Sequence, residues 1–190
     1  MNQANMQAAG VAQEDWLKRY YFARAGFSIA WIAAVLGLVP GFPGLAAALL
    51  TLYPAWDALA SLVDGHRSGG IAASRSQAIN AIVSLAVAGA IAVTLPDMHR
   101  VLAVFGAWAI LSGLLQLTAA LKRWKTNGAQ WAMVLSGAQS ALAGAVFVYQ
   151  ASAPAEPTIA TVVGYAGFGA FYFLVSALTL SVRIARRKAA

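Results

Sequence analysis

Six apolar runs of about twenty residues take up most of this chain, with only short polar or proline-bearing turns between them. They extend from about Tyr21 to Val39, Leu45 to Val63, Ala78 to Leu95, Val101 to Leu121, Ala129 to Tyr149 and Thr158 to Val182. Coiled as helix, such a run crosses the hydrocarbon core of a bilayer, and it is about twice what a barrel strand requires. A spanning segment must also satisfy its own backbone hydrogen bonds, which a helix does. The expected fold is all-α: a polytopic membrane protein of six transmembrane helices, arranged as three parallel-oriented helical hairpins. Composition agrees, with 61% apolar and 10% charged residues, against roughly 45–50% and 25% in soluble domains.

The charge distribution orients the chain. A net charge of +7 in a soluble protein would suggest nucleic acid, but twelve of the thirteen Lys and Arg residues fall on one side of the expected spans. They lie before or near the start of the first helix, in the loops after helices two and four, and after helix six; only Arg100 lies opposite. The positive-inside rule then places both termini in the cytoplasm, as for a multi-pass protein of a bacterial inner membrane. No nucleic-acid partner is expected. The bilayer is, and anionic lipid fits the basic face. Residues 1–15 are polar and lack a signal-peptide pattern, so they are expected as a flexible cytoplasmic tail. Residues 16–185 form the membrane domain, and 186–190 a basic cytoplasmic tail. The aromatic and basic stretch Trp16 to Phe22 is expected to lie along the interface before the chain turns inward.

The turns also recur. Pro40, Pro96 and Pro154 are 56 and 58 residues apart, and Ser61, Thr118 and Ser176 are 57 and 58 apart. Fixed periods of this kind mark repeated units, here about 21–75, 76–128 and 129–185. Parallel units weigh against an inverted-repeat transporter. Small residues form stripes at Asn80, Ser84, Ala88 and Ala92, at Ser136, Ser140 and Gly144, and at Gly164, Gly167 and Gly169. Lipid supplies no hydrophobic drive between helices, so such seams hold a bundle together. They serve internal packing or a homo-oligomer contact equally well.

Asp57 is the acid out of place. A charge near the bilayer centre costs at least about 2.5–3.5 kcal/mol, so it should face the bundle and have a partner. Asp64 is two turns along the same face, about 10 Å away, with Ser61 between them. Pro54 frees the Leu50 carbonyl just above. Candidate partners are Arg24, Gln77 and Asn80. By depth Arg24 is level with Asp64, leaving Asp57 to Asn80, Ser84 or Ser28, or holding its proton. One reading is a proton-conducting carboxylate. The preferred reading is a hydrogen-bonded acid fixing helices one to three, because a single acid without a matching base is a thin relay. Gln116 and Gln139 are the other deep polar groups, and amides there commonly bond across helices.

Enzyme signatures are missing. Without cysteine there is no disulfide, thiolate or Cys-based metal site. His66 and His99 lie on opposite membrane faces and cannot share a metal. Ser112-Gly113 and Ser136-Gly137 look superficially like an intramembrane serine protease, but no span carries a His to activate either serine. Neither a phosphate-binding loop nor a dinucleotide fingerprint occurs. No enzyme activity, catalytic residue, metal or cofactor is expected.

The segment Phe105-Gly106-Ala107-Trp108-Ala109-Ile110-Leu111-Ser112-Gly113-Leu114-Leu115-Gln116-Leu117, followed by Lys122-Arg123-Trp124, is a Gly/Ala-rich helix running into a basic end. With the six-helix layout and the repeat, it resembles the HdeD-like acid-resistance membrane proteins, built from a short repeat of unknown function. The stretch from Tyr53 through Asp57 and Asp64-Gly65-His66-Arg67-Ser68-Gly69-Gly70 to Asn80 looks like one subgroup. The likeness covers most of residues 20 to 185 and is clearest in the second unit. It implies a bacterial inner-membrane protein, some relatives being linked to survival at low pH, and it transfers no mechanism or residue. The expected function is a non-enzymatic membrane protein tied to acid- or envelope-stress tolerance. The alternatives are a small transporter or channel using Asp57, and an assembly module binding partner helices.

Overall fold

The computed structural model describes residues 3–70, 72–125 and 130–189. The expected start of the fifth helix at Ala129 and the unit boundary between residues 128 and 129 lie outside them. Every regular element among the described residues is a helix: α1 Gln3–Leu38, α2 Leu45–Arg67, α3 Arg75–Thr94, α4 Met98–Arg123, α5 Gln130–Gln150 and α6 Ala160–Ala189. Each contains a stretch long and apolar enough to cross a membrane, so the chain is a multi-pass membrane protein. Large apolar side chains such as Ile82, Leu85, Val93 and Leu142 are exposed. A soluble monomer seldom tolerates that much exposed apolar surface.

The turns end the helices for identifiable reasons. Pro40 stands two residues beyond α1, where the Phe42 N–H closes onto the Leu38 carbonyl at 2.9 Å. Leu95 is extended before Pro96, as the residue before proline prefers. Asp97 then caps α4 by accepting from the Arg100 N–H at 3.1 Å. At the other end, Gly69 and Gly70 take φ of +100° and +95° beyond α2, where a side chain would be strained.

The helices form a closed ring in chain order, α6 returning to pack on α1. The closest partners are α2 with α3, α4 with α5 and α6 with α1, while α1 and α2 touch least. Of these tight pairs, α2–α3 and α4–α5 are joined at the basic end and α6–α1 brings the last helix onto the first; none is joined by the proline turns that define the expected units. The reason is clearest between α4 and α5. Gly106 lies against the Gly144 backbone and Gly113 against the Gly137 backbone, so close that a Cβ at Gly113 would stand 2.5 Å from the Gly137 carbonyl oxygen. The stripe on α6 is no comparable seam: a Cβ at Gly164 would meet nothing within 4 Å.

Two buried cores fill the ring. One, toward the proline turns, is aromatic and includes Trp31, Tyr53, Phe105, Trp108 and Phe147. The other, toward the basic end, joins Leu17, Tyr21 and Ala25 to Phe173, Ala177 and Leu180. This second core corrects the expected N-terminal tail. Residues 3–15 are helical and continuous with α1, and Trp16 to Phe22 makes no separate interfacial segment. Leu17 and Tyr21 are buried against α6, and the buried Glu14 pairs with Arg187 at 2.9 Å and Arg183 at 3.3 Å. The basic tail from residue 186 is likewise helical, as the last turn of α6, and its Arg187 is one of the two partners of that acid.

Because both arginines are about half exposed, Glu14→Gln is expected to cost only about 1 kcal/mol. Thermal unfolding should show a melting point lowered by a few degrees, with the difference shrinking as salt is raised.

Candidate polar centre

Two buried acids on α2 organise the basic half of the ring. Asp57 is 5% exposed and Asp64 fully buried, so each charge must be met inside the protein. Around Asp57, Arg24 donates to Oδ1 at 2.5 Å, while Asn80 and Ser84 donate to Oδ2 at 2.7 and 2.8 Å. The Ser84 hydroxyl in turn accepts from the Trp108 indole at 2.9 Å. Asn80 also donates to Ser61 at 2.8 Å. This layer therefore ties α1, α2, α3 and α4.

Asp64 forms a second layer from the same four helices. Arg123 and Gln77 donate to its Oδ2 at 2.7 and 2.6 Å. Trp16 and Ser68 donate to Oδ1 at 3.4 and 3.2 Å. Arg123 is the last residue of α4, and its side chain folds inward to reach both Asp64 and the Ser68 hydroxyl.

The placement of Arg24 corrects the expected depth: it pairs with Asp57, not Asp64. Its guanidinium sits at the end of a long stem, so Cα depth does not fix charge depth. The plane rests 4.5 Å from the Phe173 ring centroid, and Nη1 donates to the Tyr20 hydroxyl at 3.1 Å. Asn80 and Ser84 stand where the spacing puts them. Ser28 bonds instead to the Tyr53 hydroxyl at 3.3 Å. Gln116 donates to the Met133 carbonyl at 3.1 Å, joining α4 to α5, and Gln139 lines a cavity beside Asp57. Trp31 donates to the Leu49 carbonyl, one residue before the carbonyl that Pro54 frees. Arg123 reads from sequence as a loop charge. The available signal is its spacing from Gln116, seven residues on and hence on the same helix face.

A threefold pattern lies behind this centre. Ser28, Ser84 and Ser140 are spaced by 56 residues on α1, α3 and α5. Each bonds to an aromatic on the next helix: Tyr53 at 3.3 Å, Trp108 at 2.9 Å and Tyr165 at 2.9 Å. The three rings pack on one another as a triangle with centroid separations of 6.0, 6.0 and 6.4 Å. One helical turn away, toward the basic end, lie Arg24, Asn80 and Ser136 on the odd helices and Asp57, Ser112 and Gly169 on the even ones. Only the first repeat places charges there.

Two small adjoining cavities of about 50 and 60 Å³ occupy that level, and both are lined by Arg24, Asp57, Ser112, Gln116 and Phe173. Asp57 thus accepts three hydrogen bonds and still borders open space. Among the described residues no group of His, Asp and Glu is arranged to hold a metal.

Residues 80–149, from α3 to the end of α5, match the family described as a short repeat of unknown function (DUF308). No curated protein and no solved structure matches the chain.

Proposed function

We propose that this chain is a non-enzymatic protein of the bacterial inner membrane that supports tolerance of acid or envelope stress. In this reading the Asp57 and Asp64 layers act as an internal lock. The observation that carries it is that both buried acids are paired with an arginine from another helix and held by further side-chain hydrogen bonds. A buried acid of this kind serves best by joining helices that lipid does not press together. The stress role rests on the resemblance of the second unit to the HdeD-like proteins; the short repeat that matches over much of that unit carries no function of its own. Twelve basic residues at one end favour a cytoplasmic placement of both termini and contact with anionic lipid there.

The test is survival at low pH of a strain lacking the protein. Deletion is expected to lower survival, and the wild-type chain to restore it. Unchanged survival on deletion would remove the acid arm of the proposal. A second reading, a small transporter, draws on the cavities bordering Asp57. Proton flux in proteoliposomes separates the two. The lock reading expects no flux from wild type or a folded Asp57→Asn variant, whereas flux lost on that substitution would favour transport.

A further inference from the structure

We infer that the axial cavities bind a small uncharged hydrogen-bonding solute, of the size of acetamide or glycerol. The inference goes beyond the stress-tolerance reading and does not depend on it. It starts from the broken threefold pattern. At the level one turn below the aromatic triangle, the first repeat fills its share of the axis with the Arg24–Asp57 pair. The second repeat places Asn80 and Ser112 at those positions, and the third places Ser136 and Gly169. The cavities open where those smaller side chains stand. Together they hold roughly three or four waters at the ~30 Å³ each occupies in the liquid, which is room for one such solute spanning both.

The walls specify the chemistry. Asn80 is 7% exposed, and its carbonyl oxygen is buried with no hydrogen-bond partner while its amide nitrogen serves Asp57 and Ser61. The Ser112 hydroxyl, which borders both cavities, is also buried without a partner. An unmet buried acceptor or hydroxyl costs about 1–3 kcal/mol, and a solute carrying both a donor and an acceptor recovers that cost. Gln116 and Gln139 line the same space.

Charge excludes ions. The charged groups lining the second cavity are Arg24 and Asp57, which neutralise each other; the first adds only the Asp64–Arg123 pair. An ionic ligand would find no free counter-charge and would be stranded in a low-dielectric interior. Phe168, Tyr172 and Phe173 supply apolar faces for the carbon skeleton. On the other side, the packed triangle of Tyr53, Trp108 and Tyr165 closes the axis.

The chain has no cysteine, so one introduced thiol reports without background. Ser136→Cys is nearly isosteric and is checked for an unchanged melting point in detergent. Its modification by methyl methanethiosulfonate is then followed with acetamide, glycerol, acetate or methylammonium present. The thiol should react, and acetamide or glycerol should slow it about tenfold at ten times the dissociation constant, with no effect of the two ions. In a folded Ser136→Cys/Gly169→Leu double variant, whose leucine fills the space, that protection should vanish. Three results would overturn the inference: an unreactive thiol, one that no solute protects, or one protected by acetate or methylammonium. Protection that survives Gly169→Leu would place the solute elsewhere and overturn it equally.

Discussion

Replacing Gly113 with leucine is expected to abolish accumulation of folded protein. A Cβ at Gly113 would sit 2.5 Å from the Gly137 carbonyl oxygen and 2.7 Å from the Ala141 nitrogen. Both are backbone atoms of a regular helix, so neither can turn aside and the helices must separate. The contact is reciprocal. A Cβ at Gly137 would meet the Gly113 carbonyl at 2.8 Å, and one at Gly144 the Gly106 carbonyl at 2.5 Å. Overpacking a core by a few methylenes costs typically about 1–3 kcal/mol; here a side chain pushes on backbone across the closest helix pair, so the effect should lie at or above that range. Separation would also break the bond from the Ser140 hydroxyl to the Ala109 carbonyl at 2.9 Å. Gly89→Ala is the control, since its Cβ would meet nothing within 4 Å, and it should be neutral or slightly stabilising. Yield of monodisperse protein and Tm decide the matter. A Gly113→Leu variant with the wild-type Tm would mean that α4 and α5 are not this close.

Arg123→Met should be strongly destabilising. The substitution keeps an apolar stem but leaves Asp64 buried with Gln77, Trp16 and Ser68 as its remaining donors. Breaking a buried pair from one side costs about 3–5 kcal/mol, because the partner's charge stays buried without compensation. Lys122→Met beside it removes the same formal charge from an exposed position and should change little. Equal melting points for the two variants would mean that Arg123 is not held at Asp64.

The six spans are legible from sequence because each apolar run is long enough to cross a bilayer on its own. The α2 face is legible for the same local reason: Asp57, Ser61 and Asp64 repeat at helical spacing, and Asn80 and Ser84 repeat likewise on α3. What sequence does not show is which groups meet. Arg24 and Arg123 carry their charges on flexible stems, so their partners depend on how the ring closes. The helical segment before Trp16 depends on a contact between the two ends of the chain, where Glu14 meets Arg183 and Arg187. The glycine seam has a local signature, a spacing of seven in both Gly106/Gly113 and Gly137/Gly144. It becomes a contact only when the two helices face each other. The Ser28, Ser84 and Ser140 spacing is equally visible, but its meaning lies in the three aromatics that those hydroxyls reach.

The lock at Asp57 is tested most directly by a thermodynamic cycle on its pair with Arg24. Both side chains are largely buried, at 8% and 15% exposure, and they link helices that otherwise touch little. Unfolding of wild type, Arg24→Leu, Asp57→Leu and the double variant is followed in one detergent. The predicted result is a loss of about 3–5 kcal/mol in each single variant, with much of it recovered in the double. Losses that simply add, or single variants as stable as wild type, would contradict a buried ion pair as the element that joins α1 to α2.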